Sequence, residues 1–241
     1  MRRLPLVLRS FLVQASFNYE RMSGVGLSFV MDPHLRSHLG PDNYRAAKAR
    51  ANGFFNAHPY MAPLAAGALI KVETEGHADV ELRRFKKALI GTLGLFGDRL
   101  VWTGVLPLCA AIALILGTNV MPVLAPVVFL VGYNLFHLWL RWWGCAVGLR
   151  EGIGVGGYVA HSDIKRLLSS VGPLAALLIG FCAPLVADFL MSGWTLSDAT
   201  GAVMVAFAGT VLFRLFPTRV NSLKFGIAAL AVAFAIGLTV G

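Results

Sequence analysis

Residues 54–70 read FFNAHPYMAPLAAGALI. Asn56, His58, Pro59 and Pro63 interrupt an otherwise apolar run, so the segment is too short and too broken for an ordinary membrane span. It is also too apolar for a surface loop. A chain that enters the membrane and turns back meets both constraints, because irregular backbone at membrane depth is tolerated only where protein or a watery cavity supplies its hydrogen bonds. The reading is a re-entrant hairpin over residues 54–70, with Asn56 and His58 at a polar tip.

Composition supports a lipid environment. Of 241 residues, 57% are apolar and 14% charged, and the mean hydropathy is +0.70, outside the range of soluble domains. Matched against the ~20 apolar residues that cross a bilayer, the sequence offers spans at 100–116, 120–140 and 171–190. A closing pair at 199–213 and 225–241 is joined by the basic turn RLFPTRVNSLK. Pro107, Pro122, Pro126, Pro173 and Pro184 lie in these spans and favour kinked or broken helices, which suggests a transport pathway. The fold class is therefore an all-α polytopic membrane protein with broken or re-entrant helices, about five membrane crossings after residue 99, and N-terminal interfacial amphipathic helices.

Residues 1–99 carry 14 of the 21 Lys and Arg and 8 of the 12 Asp and Glu. Charge thus divides the chain into 1–99, the interfacial helices and hairpin, and 100–241, transmembrane helices in one continuous membrane unit. A net charge of +9 in so apolar a chain indicates contact with anionic lipid headgroups and cytoplasmic basic loops rather than nucleic acid. Arg9 and Gln14 break the apolar core that a cleavable signal needs. Cys109, Cys145 and Cys182 show no CxxC spacing and read as packing residues.

Near the start, Leu8, Phe11, Leu12, Ala15, Tyr19, Met22, Gly26, Phe29 and Val30 recur at three- and four-residue steps opposite Arg9, Gln14, Asn18, Arg21 and Ser28. This is the pattern of one amphipathic helix lying on an interface, ended by Asp32-Pro33. Pro41 opens a short basic helix through Arg45, Lys48 and Arg50. Beyond Ile70 a charged helix-turn-helix follows, with Gly76 in its turn.

Several polar residues have two readings. Asn56 and His58 suit the cap of a broken helix, Asn56 bonding an exposed backbone N–H and Pro59 fixing the chain just beyond. Glu20 is either a solvated partner of Arg21 or a carboxylate facing a polar path. Asp98 is placed to start a helix and face its dipole, with Arg99 reaching to headgroups. His34 and His38 have a zinc-compatible spacing without a third ligand. His137, inside an apolar run, needs a partner, for which Asn134 or another subunit is at hand. The phosphate-loop and nucleophile-elbow patterns are absent, and GIGVGGY at 152–158 reads as a flexible loop. No catalytic residue, cofactor or metal is expected.

SFNYERMSGVGLSFVM (16–31), FFNAHPYMAPLAAGALIKVE (54–73), GLFGDRLVW (94–102) and NLFHLWLRWWGCAVGLREG (134–152) resemble, in that order and spacing, membrane subunit IID of the mannose, fructose and sorbose type of phosphotransferase-system (PTS) sugar transporters. The resemblance runs from about residue 9 to the C-terminus. It implies a non-catalytic subunit that forms a hexose path with subunit IIC. Soluble IIA and IIB proteins relay phosphate from phosphoenolpyruvate, and IIB phosphorylates the sugar. It further implies a hetero-oligomer in the bacterial inner membrane. On that footing Asn56 and His58 offer sugar hydroxyls both donors and acceptors. Glu20 joins them as a substrate-binding residue, and Phe54, Phe55 and Tyr60 supply an apolar face. The alternatives are a stand-alone membrane transporter and a membrane-embedded metal-dependent enzyme using His58, Asp98 and His137.

Overall fold

The computed structural model describes residues 3–190. In chain order the helices are α1 (Arg3–Ser10), α2 (Gly24–His38), α3 (Pro41–Asn52), α4 (Ala62–Thr74), α5 (Asp79–Gly97), α6 (Leu106–Asn119), α7 (Leu124–Glu151), α8 (Val155–His161) and α9 (Asp163–Leu190). A 3-10 turn at Pro59–Met61 leads into α4, and a π-helical segment, Asp98–Val105, joins α5 to α6. The chain to Leu185 forms one compact unit.

The stretch that fits neither span nor loop is the centre of this unit. Every residue of α4 from Ala62 to Ile70 is buried, so its apolar character is satisfied by protein. The approach to α4 is not the helical limb of a hairpin. It is extended chain, with Gly53 and His58 both held outside the helical region. α4 packs most extensively on α7, where small residues let the backbones meet: a Cβ on Gly148 would lie 2.3 Å from the Leu64 carbonyl oxygen, and one on Gly67 2.8 Å from the Leu149 nitrogen. In lipid, such close packing replaces the hydrophobic effect as the force between helices.

The N-terminal region departs from a single interfacial helix. α1 stops at Ser10 and residues 11–22 form turns. There the Asn18 side chain accepts from the Arg21 N–H at 2.9 Å, and Asn18 and Met22 exchange backbone bonds across the turn; local side-chain acceptors of this kind compete with helix. Several residues of the expected apolar face, among them Leu8, Phe11 and Leu12, are exposed. Nor does Asp32-Pro33 end α2, which continues to His38. Pro33 has no N–H for the carbonyl of Phe29, and the Arg9 side chain takes that carbonyl instead, at 3.0 Å. The helix runs through the proline because a cation from α1 completes it.

α3 begins at Pro41 as the sequence implies, and its C-terminal carbonyls are capped from α5. Lys86 Nζ donates to the carbonyls of Arg50, Ala51 and Gly53 at 2.6, 3.0 and 2.9 Å. Arg50 in turn grips Glu73 of α4 and Asp79 of α5. Gly76, with φ +78, makes the turn between α4 and α5.

Asp98 does not start a helix. Gly97 and Asp98 both keep helical dihedrals, and one 41-residue helix runs from Asp79 to Asn119. The change from charged to apolar sequence marks where this helix becomes apolar, not where a helix begins. Pro107 lies just past the π segment; its missing N–H and bulky ring disturb the preceding turn, which widens. GIGVGGY is not a loop either: Gly152, at φ +55, ends α7, and a 3-10 turn and α8 follow.

Three helices among the described residues are long and apolar enough to cross a membrane: Asp79–Asn119, Leu124–His161 and Asp163–Val186. The first contains the span read at 100–116, and the other two overlap the spans read at 120–140 and 171–190 without covering them fully. The closing pair, 199–213 and 225–241, lies outside the described residues.

The α4–α7 contact yields a paired test. Gly148→Ala forces a methyl against backbone and is expected to lower stability by about 1–3 kcal/mol, read as a lower unfolding temperature of the purified chain in detergent. Gly156→Ala, where a Cβ meets nothing within 4 Å, is expected to leave that temperature unchanged or raise it slightly.

Candidate functional site

The extended segment before α4 is held by the chain at residues 18–23. The Phe55 N–H donates to the Arg21 carbonyl at 3.1 Å, and the Ser23 N–H donates to the Phe55 carbonyl at 2.9 Å, forming a short parallel bridge between Met22 and Phe55. Extended chain alternates its side chains: Phe55 is fully buried, while Phe54 and Asn56 on either side are exposed. Met22 adopts φ +52, a conformation rare for a residue with a side chain and frequent at functional sites. This arrangement sets the loop carrying exposed Glu20 beside the strand carrying Asn56. Among the described residues Glu20 pairs only with its neighbour Arg21, at 3.4 Å, with most of its side chain in the open.

His58 ends the extended segment and is 3% exposed. Its Nδ1 accepts the Tyr60 N–H at 3.2 Å, so the N–H bond expected of Asn56 belongs to His58. Asn56 makes no side-chain hydrogen bond among the described residues. With Nδ1 an acceptor, the proton of the neutral ring sits on Nε2, and that buried nitrogen has no partner among the described residues. Burial, then the charge of Arg141 and the neighbouring His137, pushes the His58 pKa down to about 4, so the ring stays neutral at physiological pH. A buried donor without an acceptor is costly, and most such groups in proteins are paired.

Two residues outside the segment shape this imidazole's surroundings. A Cβ on Gly97 would fall 2.2 Å from the His58 Cβ, so GLFGDRLVW supplies the space into which His58 fits. Trp102, on the π segment, meets the ring edge-on at 5.6 Å between centroids, and Tyr60 does so at 5.0 Å. Phe55 points into the core and is not part of an apolar face; Phe54 and Tyr60 remain available for one.

Arg141 locks the tip from α7. It is 4% exposed, donates from Nε to His137 Nε2 at 2.6 Å, and donates from one terminal nitrogen to the Ser10 carbonyl and hydroxyl, both at 2.8 Å. The guanidinium also lies over the rings of Phe11 and Tyr60, at 4.6 and 5.1 Å. The partner of His137 is thus Arg141, one turn away. Asn134 instead bonds back to the Leu130 carbonyl. His137 stacks on Tyr60 at 4.0 Å, and the Tyr60 and Tyr133 hydroxyls are 3.1 Å apart. Arg141 stood in plain view as the only charge in HLWLRWWG, spaced i, i+4 from His137. Trp102 carried no comparable signal.

Among the described residues no group of three His, Cys, Asp or Glu side chains is placed to hold a metal. His38 Nδ1 bonds the His34 carbonyl at 2.9 Å, and Asp98 is exposed while His58 and His137 are buried.

The family model for the mannose/fructose/sorbose family IID component of the PTS matches residues 2–224. The chain belongs to this family. It is 28% identical to the mannose-specific EIID component of Escherichia coli K12, over 87% of this chain and 77% of that protein. It is 29% identical to the sorbose-specific EIID component of Klebsiella pneumoniae, over 89% and 81%, and 26% identical to the fructose permease IID component of Bacillus subtilis, over 88% and 80%. Among solved structures it shares its fold with a membrane protein at TM-score 0.73 and 24% identity, covering 97% of this chain and 94% of the other. The mannose transporter ManYZ in complex with microcin E492 matches at TM-score 0.57, with the same identity and coverage. The chain is a membrane-embedded EIID component, and membership does not favour a stand-alone transporter or a metalloenzyme.

Within this EIID chain the lock on the tip is testable without substrate. Arg141→Met removes the donors to His137 and Ser10 and is expected to cost about 1–3 kcal/mol of local stability. Amide hydrogen exchange at Tyr60 should rise by at least about tenfold, while the amides of α3 keep their protection. Arg141→Lys should restore little, because an ammonium cannot hold both partners in one plane.

Proposed function

We propose that this EIID subunit binds and passes a hexose-type sugar together with a IIC subunit, in the bacterial inner membrane, and performs no phosphoryl transfer of its own. The observation that carries this is the pairing of a buried, unpartnered Nε2–H on His58 with an exposed, unbonded Asn56 two residues before it. Asn56 offers a donor and an acceptor, and His58 a donor without an acceptor. A sugar hydroxyl, which is both at once, completes each. Glu20, on the loop bridged to the same strand, adds a carboxylate that accepts hydroxyls, and Tyr60 adds apolar surface for the ring's C–H face.

The non-catalytic part of the proposal rests on His58 itself. One nitrogen is committed to the Tyr60 N–H and the other is a buried donor, which suits a hydrogen bond to a small hydroxyl and not a phosphoryl carrier that must meet a soluble protein. Phosphate then arrives through soluble IIA and IIB proteins acting on sugar already at the membrane. The relatives named as mannose, sorbose and fructose components support a hexose-type substrate, and the ManYZ neighbour supports assembly with a second membrane subunit.

Asn56→Ala and His58→Ala, each co-produced with IIC, should leave the complex assembled and weaken sugar binding by about 1–3 kcal/mol, the usual range when a hydrogen-bonding partner is removed. Gly97→Ala should reproduce the His58 defect without touching a hydrogen-bonding group, because it displaces the ring. Titration of the purified complexes with sugar, beside gel filtration of the same preparations, checks this. Unchanged affinity in assembled Asn56 and His58 variants would remove both residues from the site.

A further inference from the structure

A cavity of about 580 Å³ bounded by α2, α3, α4 and α5 is lined by none of Asn56, His58 and Glu20. Its wall changes character along α5. Arg83, Lys86 and Lys87 come first, then Ile90 and Gly91, and Phe54 contributes further apolar surface. α5 is the charged beginning of a helix long enough to cross the membrane, so the cations stand at headgroup depth and the apolar wall lies towards the hydrocarbon.

The charges around the cavity do not cancel. Glu73 and Asp79 answer Arg50 and Arg83, and Lys86 spends its donors on three carbonyls. Lys87 is exposed and has no carboxylate partner among the described residues. Among the described residues, four cations therefore face two carboxylates. Arg83 and Lys87, one helical turn apart, share a face of α5. At the apolar end, a Cβ on Gly91 would meet nothing within 4 Å, so the helix leaves open space there.

We propose that this cavity binds one anionic phospholipid, its phosphate between Arg83 and Lys87 and an acyl chain along Ile90, Gly91 and Phe54. A free anion would use the cations and gain nothing from the apolar wall. An uncharged lipid would use the wall and leave the excess positive charge unanswered. Only an amphiphile with a negative head fits both parts. The proposal does not depend on the sugar reading.

The test uses the full chain with its membrane partners in nanodiscs of phosphatidylcholine, with or without added phosphatidylglycerol. Acetylation of Lys87 is followed by peptide mass analysis, with exposed Lys165, outside the cavity, as the internal reference. Phosphatidylglycerol is expected to slow Lys87 labelling about fivefold relative to Lys165, the effect of one cation held near an anionic headgroup. Inorganic phosphate added to phosphatidylcholine discs should give no protection. Gly91→Leu, which fills the open end, should abolish the protection by phosphatidylglycerol. Equal labelling in both lipids overturns the proposal, including the case in which a protein partner covers the cavity. Protection by inorganic phosphate, or protection that survives Gly91→Leu, overturns it as well, since the first shows a simple anion site and the second an attraction without a seat for the chain.

Discussion

Backbone groups in apolar surroundings must be paired, and the architecture of this chain follows from how each break in its helices is repaired. Pro33 strands the Phe29 carbonyl, and Arg9 takes it. α3 ends among neighbouring helices, and Lys86 reaches across from α5 to its last carbonyls. α1 stops at Ser10, whose carbonyl and hydroxyl receive Arg141 from α7. The entry to α4 leaves the Tyr60 N–H outside any helical ladder, and His58 accepts it. Each repair comes from a distant helix or from the turn itself, so satisfying the backbone also fixes the tertiary arrangement.

This changes the meaning of the positive charge. A net +9 in an apolar chain reads first as attraction to headgroups, and for exposed residues such as Lys87 that reading stands. Arg9, Lys86 and Arg141 do something different: they supply long, multidentate donors where the backbone needs them. A Lys or Arg carries its donors on a stem of several methylenes, so an apolar stem can pack while the head reaches a carbonyl. Arg141 shows why the residue type matters. Its planar group binds His137 and Ser10 while presenting a face to Phe11 and Tyr60, which a lysine does not do.

How much of this was legible depended on whether the relevant signal was local. The all-helical membrane fold, the helix opening at Pro41, the turn at Gly76 and the first three spans follow from composition and periodicity, which report local structure directly. The failures share a cause. The end expected at Pro33, the start expected at Asp98 and the loop expected at 152–158 are each local rules overridden by a distant partner or by helical continuity. The site was partly legible: Asn56 and His58 stood out as polar residues in an apolar run, but their division of labour did not. Sequence offered Asn56 and His58 together as the cap, with the N–H bond on Asn56, whereas Asn56 faces outward and His58 alone takes that bond. Gly97 was visible within a motif, but only the packing shows that its missing side chain is the space His58 occupies.

His58 stands apart from the other repairs because it is left incomplete. Arg9, Lys86 and Arg141 direct donors at carbonyls and are satisfied; His58 uses one nitrogen for the fold and keeps a buried donor on the other without an acceptor among the described residues. Gly97, Trp102 and Tyr60 confine the ring, so it cannot rotate to find a partner without breaking the cap that starts α4. The cost of the unpaired donor is therefore maintained by the surrounding packing, and any hydroxyl that reaches Nε2 recovers it. On the proposed reading, a ligand that meets Nε2 would couple to the fold, because His58 also caps the entry to the helix on which α7, and through Arg141 the N-terminal α1, are assembled.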